Sequence, residues 1–172
     1  MSARQEHVYG FTLDVSKERQ NDFTDEDLQQ KMINMIRTLD NTAAEDGWSY
    51  CIEWVLSDVS YTKIKPFESF GIALDETKIE RTPWHVHGNL YATAGATAWK
   101  IIKEYWQKNV NGADNGTDGK RLDKENIPWR GWFEYVEGNR KYSSRTKIYR
   151  RASKDLKGRN VIDIGVEQGL LV

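Results

Sequence analysis

The sequence predicts an α+β domain in which helices pack on an antiparallel sheet. Three observations carry that expectation. Runs with strand and helix character are mixed along the chain rather than strictly alternating, which favours antiparallel pairing over a parallel βαβ architecture. A length of 172 residues with 38% hydrophobic content suits one core. No internal repeat and no inter-domain linker is visible, so residues 1–172 read as a single domain.

From His7 to Val15 the residues alternate, Tyr9, Phe11 and Leu13 on one side and Gly10, Thr12 and Asp14 on the other, as in a half-buried first strand. Thr24 followed by Asp25, Glu26 and Asp27 reads as an N-cap with acids in the first turn, where the helix dipole favours them. Leu28, Met32, Met35, Ile36 and Leu39 then fall on one helical face and read as core. Residues 47–57 and 84–92, rich in aromatic and β-branched types, read as two further strands. The stretch between them, 58–83, holds Phe67, Phe70, Ile72 and Leu74 and is expected to be an ordered insertion. Trp99, Ile102 and Trp106 mark a second helix ending near Asn109, and residues 109–119 have the composition of a flexible loop. A short helix is expected over 132–137. Residues 140–159 read as basic and less ordered, and the apolar tail 161–172 has no predicted place.

The single cysteine rules out an internal disulfide, no secretory leader is evident, and no run approaches the roughly 18 apolar residues of a membrane span. A soluble, intracellular protein with no membrane partner is expected. The net charge of −1 conceals an asymmetry. Residues 1–83 carry nine Lys/Arg against sixteen Asp/Glu, whereas residues 120–159 carry thirteen against five. The C-terminal third is therefore the candidate phosphate-facing surface.

The most informative residues are His85, Val86 and His87. Two of the three histidines in the chain stand two apart in a predicted strand, so both imidazoles lie on one face. Imidazole is a common ligand for divalent transition metals. Glu53 lies in the apolar run 50–56 of the neighbouring predicted strand, where a carboxylate needs exposure or a partner, and a metal would supply one. Partly exposed sheet histidines and a solvent-facing Glu53 remain the plain alternative. The cupin pattern also begins with two histidines one residue apart, but it continues with a Glu, and here Gly88-Asn89-Leu90-Tyr91 follows. Zinc-finger spacing fails for want of thiolates.

Phe11-Thr12-Leu13-Asp14, His85-Val86-His87 and Gly131-Trp132-Phe133-Glu134-Tyr135-Val136 occur in this order. They resemble the three motifs of the HUH family of single-strand DNA endonucleases, in the replication initiators of small circular single-stranded DNA viruses and related plasmids. The resemblance covers roughly residues 8–145. It implies a ferredoxin/RRM-like, five-stranded antiparallel sheet with the histidines on a central strand and helices behind. It also implies a Mn²⁺ or Mg²⁺ ion held by Glu53, His85 and His87, and a helical Tyr135 as nucleophile. The family places a Lys three residues after its Tyr, whereas Gly138 stands here, which leaves Arg140 or Lys141 to supply charge. A frame anchored on Glu137-Gly138-Asn139 would instead put Phe133 at the nucleophile position, with Tyr142 as another candidate.

The implied activity is nicking and joining of single-stranded DNA at a replication origin through a 5′-phosphotyrosine intermediate. Phe11, Thr12, Lys141, Arg145, Lys147, Arg150 and Arg151 are the candidate DNA contacts. A helicase domain often accompanies such initiators, but no phosphate-binding loop is present: Gly119-Lys120 is followed by Arg121. The implied site of action is the host nucleus for a eukaryotic virus and the cytoplasm otherwise. A non-catalytic RRM-like single-stranded nucleic-acid-binding module and an HUH transposase or relaxase stay open as alternatives.

Overall fold

The computed structural model describes residues 5–64, 76–112, 116–124 and 128–172. Five strands, β1 (His7–Leu13), β2 (Tyr50–Ile64), β3 (Glu76–Ala92), β4 (Thr117–Arg121) and β5 (Ile148–Ala152), form one sheet in the order β4-β1-β3-β2-β5. Every neighbouring pair is antiparallel. Among the described residues four α-helices, α1 (Asp25–Asp46), α2 (Gly95–Trp106), α3 (Trp129–Tyr142) and α4 (Val161–Glu167), join the sheet in an α+β fold of the ferredoxin/RRM-like kind. The histidine strand β3 is central, as expected.

Strand alternation sorts the residues onto two faces. Tyr9, Phe11, Leu13, Ile52, Trp54, Leu56, Val86 and Leu90 pack with α1 and α2 in the main core, where Leu28, Met32, Met35, Ile36 and Leu39 are all buried. Burying each such side chain contributes about 1.5–3 kcal/mol, so this face dominates the stability of the sheet. The start of α1 is fixed by a capping box: Thr24 Oγ1 accepts from Asp27 N–H at 3.1 Å, and Asp27 Oδ2 accepts from Thr24 N–H at 2.9 Å. On the opposite face Val8, Cys51 and Tyr91 pack with Trp129, Val161, Ile164 and Leu171.

Several sequence expectations are corrected. Residues 58–64 and 76–83 prolong β2 and β3 as a paired ribbon, with a register shift between Ser57 and Val59. Phe67, Phe70, Ile72 and Leu74 lie outside the described residues. The expected loop over 109–119 contains Asn115, also outside them, but its end belongs to β4, which pairs Leu13 with Thr117 and Phe11 with Gly119. Asn111 is buried there, because its amide donates to the Asp14 carbonyl at 2.8 Å and its oxygen accepts from Ser16 N–H, also at 2.8 Å. The short helix of 132–137 is the middle of the longer α3. The basic stretch holds the edge strand β5, and the tail supplies α4 and the buried Leu171. Local composition hid all three, since their order comes from pairing with distant residues.

Candidate functional site

The face opposite the main core carries the candidate chemistry. In the strand register Thr12, His87 and Val55 form one cross-strand row, and Gly10, Asn89, Glu53 and Arg150 form the next. His85 and His87 share this face, with ring centroids 4.7 Å apart. His85 donates Nδ1–H to the Pro83 carbonyl at 2.9 Å, which leaves its Nε2 as the lone-pair nitrogen. His87 Nδ1 is hydrogen bonded to Thr12 Oγ1, again at 2.9 Å. In the tautomer that donates Nδ1–H to Thr12, the His87 Nε2 lone pair is also open. That atom is buried and has no hydrogen-bond partner among the described residues. Burial, and then the neighbouring His85, pushes the His87 pKa down to about 3, so the ring is neutral at physiological pH.

Helix α3 brings the third motif onto this face. The Tyr135 ring stands 5.1 Å from the His87 ring in an edge arrangement and 5.7 Å from Trp132. Trp132 lies over Gly10, where a Cβ would come within 2.4 Å of the indole, so the close approach of α3 to β1 requires glycine. Phe133 points elsewhere: it packs edge-on against Trp129 beside the smaller core.

Glu53 shares the histidine face but stands one row away. Its Oε1 accepts from Asn89 Nδ2 at 3.1 Å, and its Oε2 faces Arg150 Nε, also at 3.1 Å. Only 5% of the Glu53 side chain is exposed, so this pairing answers the desolvation that the sequence assigned to a metal. Among the described residues no three His, Cys, Asp or Glu side chains form a group that could hold a metal. Asp14, which sequence reasoning placed on this side of β1 but gave no role, lines a cavity of about 290 Å³ with His85, Gln20, Thr82, Pro83 and Trp84. Its signal was present in the alternation that also selects Thr12.

The expected DNA contacts divide. Phe11 has no exposed surface and packs at a tilt against Trp99 in the main core, which corrects its assignment as a DNA contact: Tyr9, Phe11 and Leu13 face the helices. Thr12 is occupied with His87. Arg145 is internally balanced, bonding Asp25 at 3.1 Å, Glu26 at 2.8 Å and the Tyr149 hydroxyl at 2.6 Å. Lys141 lies over the Tyr142 ring, Arg140 pairs with Glu137, and Lys147 is exposed. Arg150 and Arg151 join Ala152, Lys157, Gly158 and Arg159 around a groove of about 520 Å³ beside the edge strand β5. The sequence had not singled out Lys157 and Arg159, which follow the strand and come beside it only through the fold.

Among the described residues no helix is long and apolar enough to cross a membrane. Comparisons with protein-family models, with curated proteins and with solved structures give no match.

Proposed function

We propose that the chain is an HUH-type endonuclease that nicks and rejoins single-stranded DNA at a rolling-circle replication origin. The observation that carries this reading is the placement of Tyr135 beside His87, on the face that the two histidine rings share. Imidazole ligands suit Mn²⁺ better than Mg²⁺, which prefers an all-oxygen shell. His85 and His87 would hold the ion, with Thr12 fixing the His87 ring from behind. Glu53 stands one row away, held by Asn89 and Arg150, and would have to turn from that row to join them. Bound there, the ion supplies neutralisation of charge on the scissile phosphate.

The chain's own residues account for the rest. The Tyr135 phenolic oxygen attacks phosphorus; the new Tyr–phosphorus bond replaces the bond to the 3′-oxygen, and the phenol proton is balanced by protonation of that leaving oxygen. The products are a 5′-phosphotyrosine and a free 3′-hydroxyl, and attack by another 3′-hydroxyl reverses the step and joins strands. The groove of Arg151, Lys157 and Arg159 offers the flanking phosphates a path along β5.

The engagement of Glu53 by Arg150 and Asn89 favours one competing reading, a non-catalytic RRM-like module that binds single strands. Incubation with labelled single-stranded DNA and Mn²⁺ separates the two. An adduct that survives denaturation and maps to residue 135 supports the nickase, and DNA binding with neither adduct nor metal-dependent stabilisation supports the module.

A further inference from the structure

We propose that Tyr61 is the positioning residue for Tyr135, seated through Gly138. This rests on the reading of Tyr135 as nucleophile. The β2–β3 ribbon runs past the two strands that flank it, since β1 reaches only Val86 and β5 only Val55. A two-stranded ribbon alone is marginally stable. Tyr61 fastens it to α3. Its ring stacks on the Tyr135 ring, with centroids 5.3 Å apart and planes at 20°, and it meets the Tyr142 ring at a tilt, with centroids 5.4 Å apart. Its hydroxyl donates, in a shared bond, to the backbone carbonyls of Glu134 and Tyr135, each at 3.1 Å. Tyr61 therefore grips both the backbone and the ring of the same residue, while His87 and Trp132 bound that ring elsewhere.

Two further features make the grip specific. A Cβ at residue 138 would collide with the Tyr61 hydroxyl and ring, so any residue but glycine there must displace the phenol. That is the position, three after Tyr135, where the HUH resemblance would place a lysine. Burial first, and then Tyr135, Tyr142 and Glu134, push the Tyr61 phenol up to about 12, so it remains a donor throughout the neutral range. Asn139 reinforces the arrangement: its amide donates to the Tyr135 carbonyl at 3.0 Å, and its oxygen accepts from Ser57 at 2.7 Å.

The test compares the parent chain with Tyr61→Phe, Tyr61→Ala and Gly138→Ala. The readouts are the single-turnover rate of adduct formation with Mn²⁺ and labelled single-stranded DNA, the Kd for that DNA, and the ¹⁹F resonance of residue 135 in fluorotyrosine-labelled protein, assigned with Tyr135→Phe. Tyr61→Phe keeps the stack and is expected to slow the rate about tenfold, and Tyr61→Ala about a hundredfold, a scale set by misplacing a nucleophile by an ångström. DNA Kd should stay within about twofold, because the substitutions alter orientation rather than phosphate contacts. The residue-135 resonance should move in Tyr61→Ala and Gly138→Ala. An unmoved resonance, or a parental adduct rate in Tyr61→Ala, overturns the proposal. A moved resonance in a protein that forms no adduct at residue 135 upholds the positioning and removes the nucleophile reading alone.

Discussion

Trp132 donates its indole N–H to Asn89 Oδ1 at 2.7 Å, and Asn89 in turn donates to the buried Glu53 carboxylate. This chain of bonds ties α3 to the central strand one row from His87 and holds Tyr135 over the histidine face. Replacing the indole leaves the Asn89 oxygen unsatisfied in a buried position. Trp132→Phe is therefore expected to lower stability by about 1–3 kcal/mol, the penalty for an unmade buried bond, read as a shift in the urea midpoint. An unchanged midpoint would mean that the indole bond contributes nothing to docking α3.

The histidine pair gives a metal prediction with a structural qualification. His87 is only 4% exposed, so its truncation to alanine would remove packing as well as a ligand. His85→Ala combined with His87→Gln preserves more of the volume. With Mn²⁺ at about 100 times its Kd the parent should gain about 2.7 kcal/mol. At about 2–4 °C per kcal/mol that is a Tm rise of several degrees, which the double variant should lack. An equal rise in both proteins would place the metal elsewhere.

The fold was legible wherever local pattern and tertiary role agree. The alternation in β1, the Thr24 cap and the Met32–Met35–Ile36 stripe all stand where periodicity put them. Residues 117–121 and 148–152 were missed because their strand character comes from an edge partner rather than from apolar alternation. At the site, same-face histidines follow from period two alone. Proximity of Tyr135 to His87 needed the motif order, and the Glu53–Arg150 pair needed the register between β2 and β5, which no local signal specifies.

Asp58 carries an acid-sensitive contribution. Burial would raise its pKa, but the Ser144 hydroxyl and backbone N–H, the Arg81 guanidinium and the Ser143 hydroxyl outweigh that and hold the carboxyl below its usual range. A depressed folded pKa gives stability that is complete above the unfolded value of about 4 and is lost as pH falls through the folded value. Asp58→Asn should thus be about 1 kcal/mol less stable than the parent at pH 7, with the gap closing below about pH 4. A gap independent of pH would assign the effect to geometry rather than charge.

Salt dependence tests the β5 groove. Arg150 neutralises the buried Glu53, so reversing its charge would confound DNA binding with folding. Arg151 and Lys157 are exposed and line the same groove. If each meets one phosphate, Arg151→Glu with Lys157→Glu should reduce the slope of log Kd against log salt by about 1.4, at about 0.7 per phosphate on a single strand. A parental slope would move the DNA path away from β5.

Two frames of the third motif give opposite expectations for α3, and the packing separates them. Residues 133 and 135 lie two apart on a helix and so face directions about 200° apart. Tyr135 meets His87, whereas Phe133 meets Trp129 beside the smaller core. A hydroxyl added at Phe133 would enter that packing rather than approach the histidines. Tyr135→Phe is accordingly expected to bind Mn²⁺ and single-stranded DNA as the parent does and to form no covalent adduct. Phe133→Tyr in the Tyr135→Phe background should not restore one, and it should lose stability by about 1–3 kcal/mol through overpacking. Denaturing electrophoresis of the labelled adduct, followed by peptide mapping, reads both outcomes. An adduct on residue 133 in the double variant would transfer the nucleophile position to that residue and leave Tyr135 as packing against Tyr61 and His87.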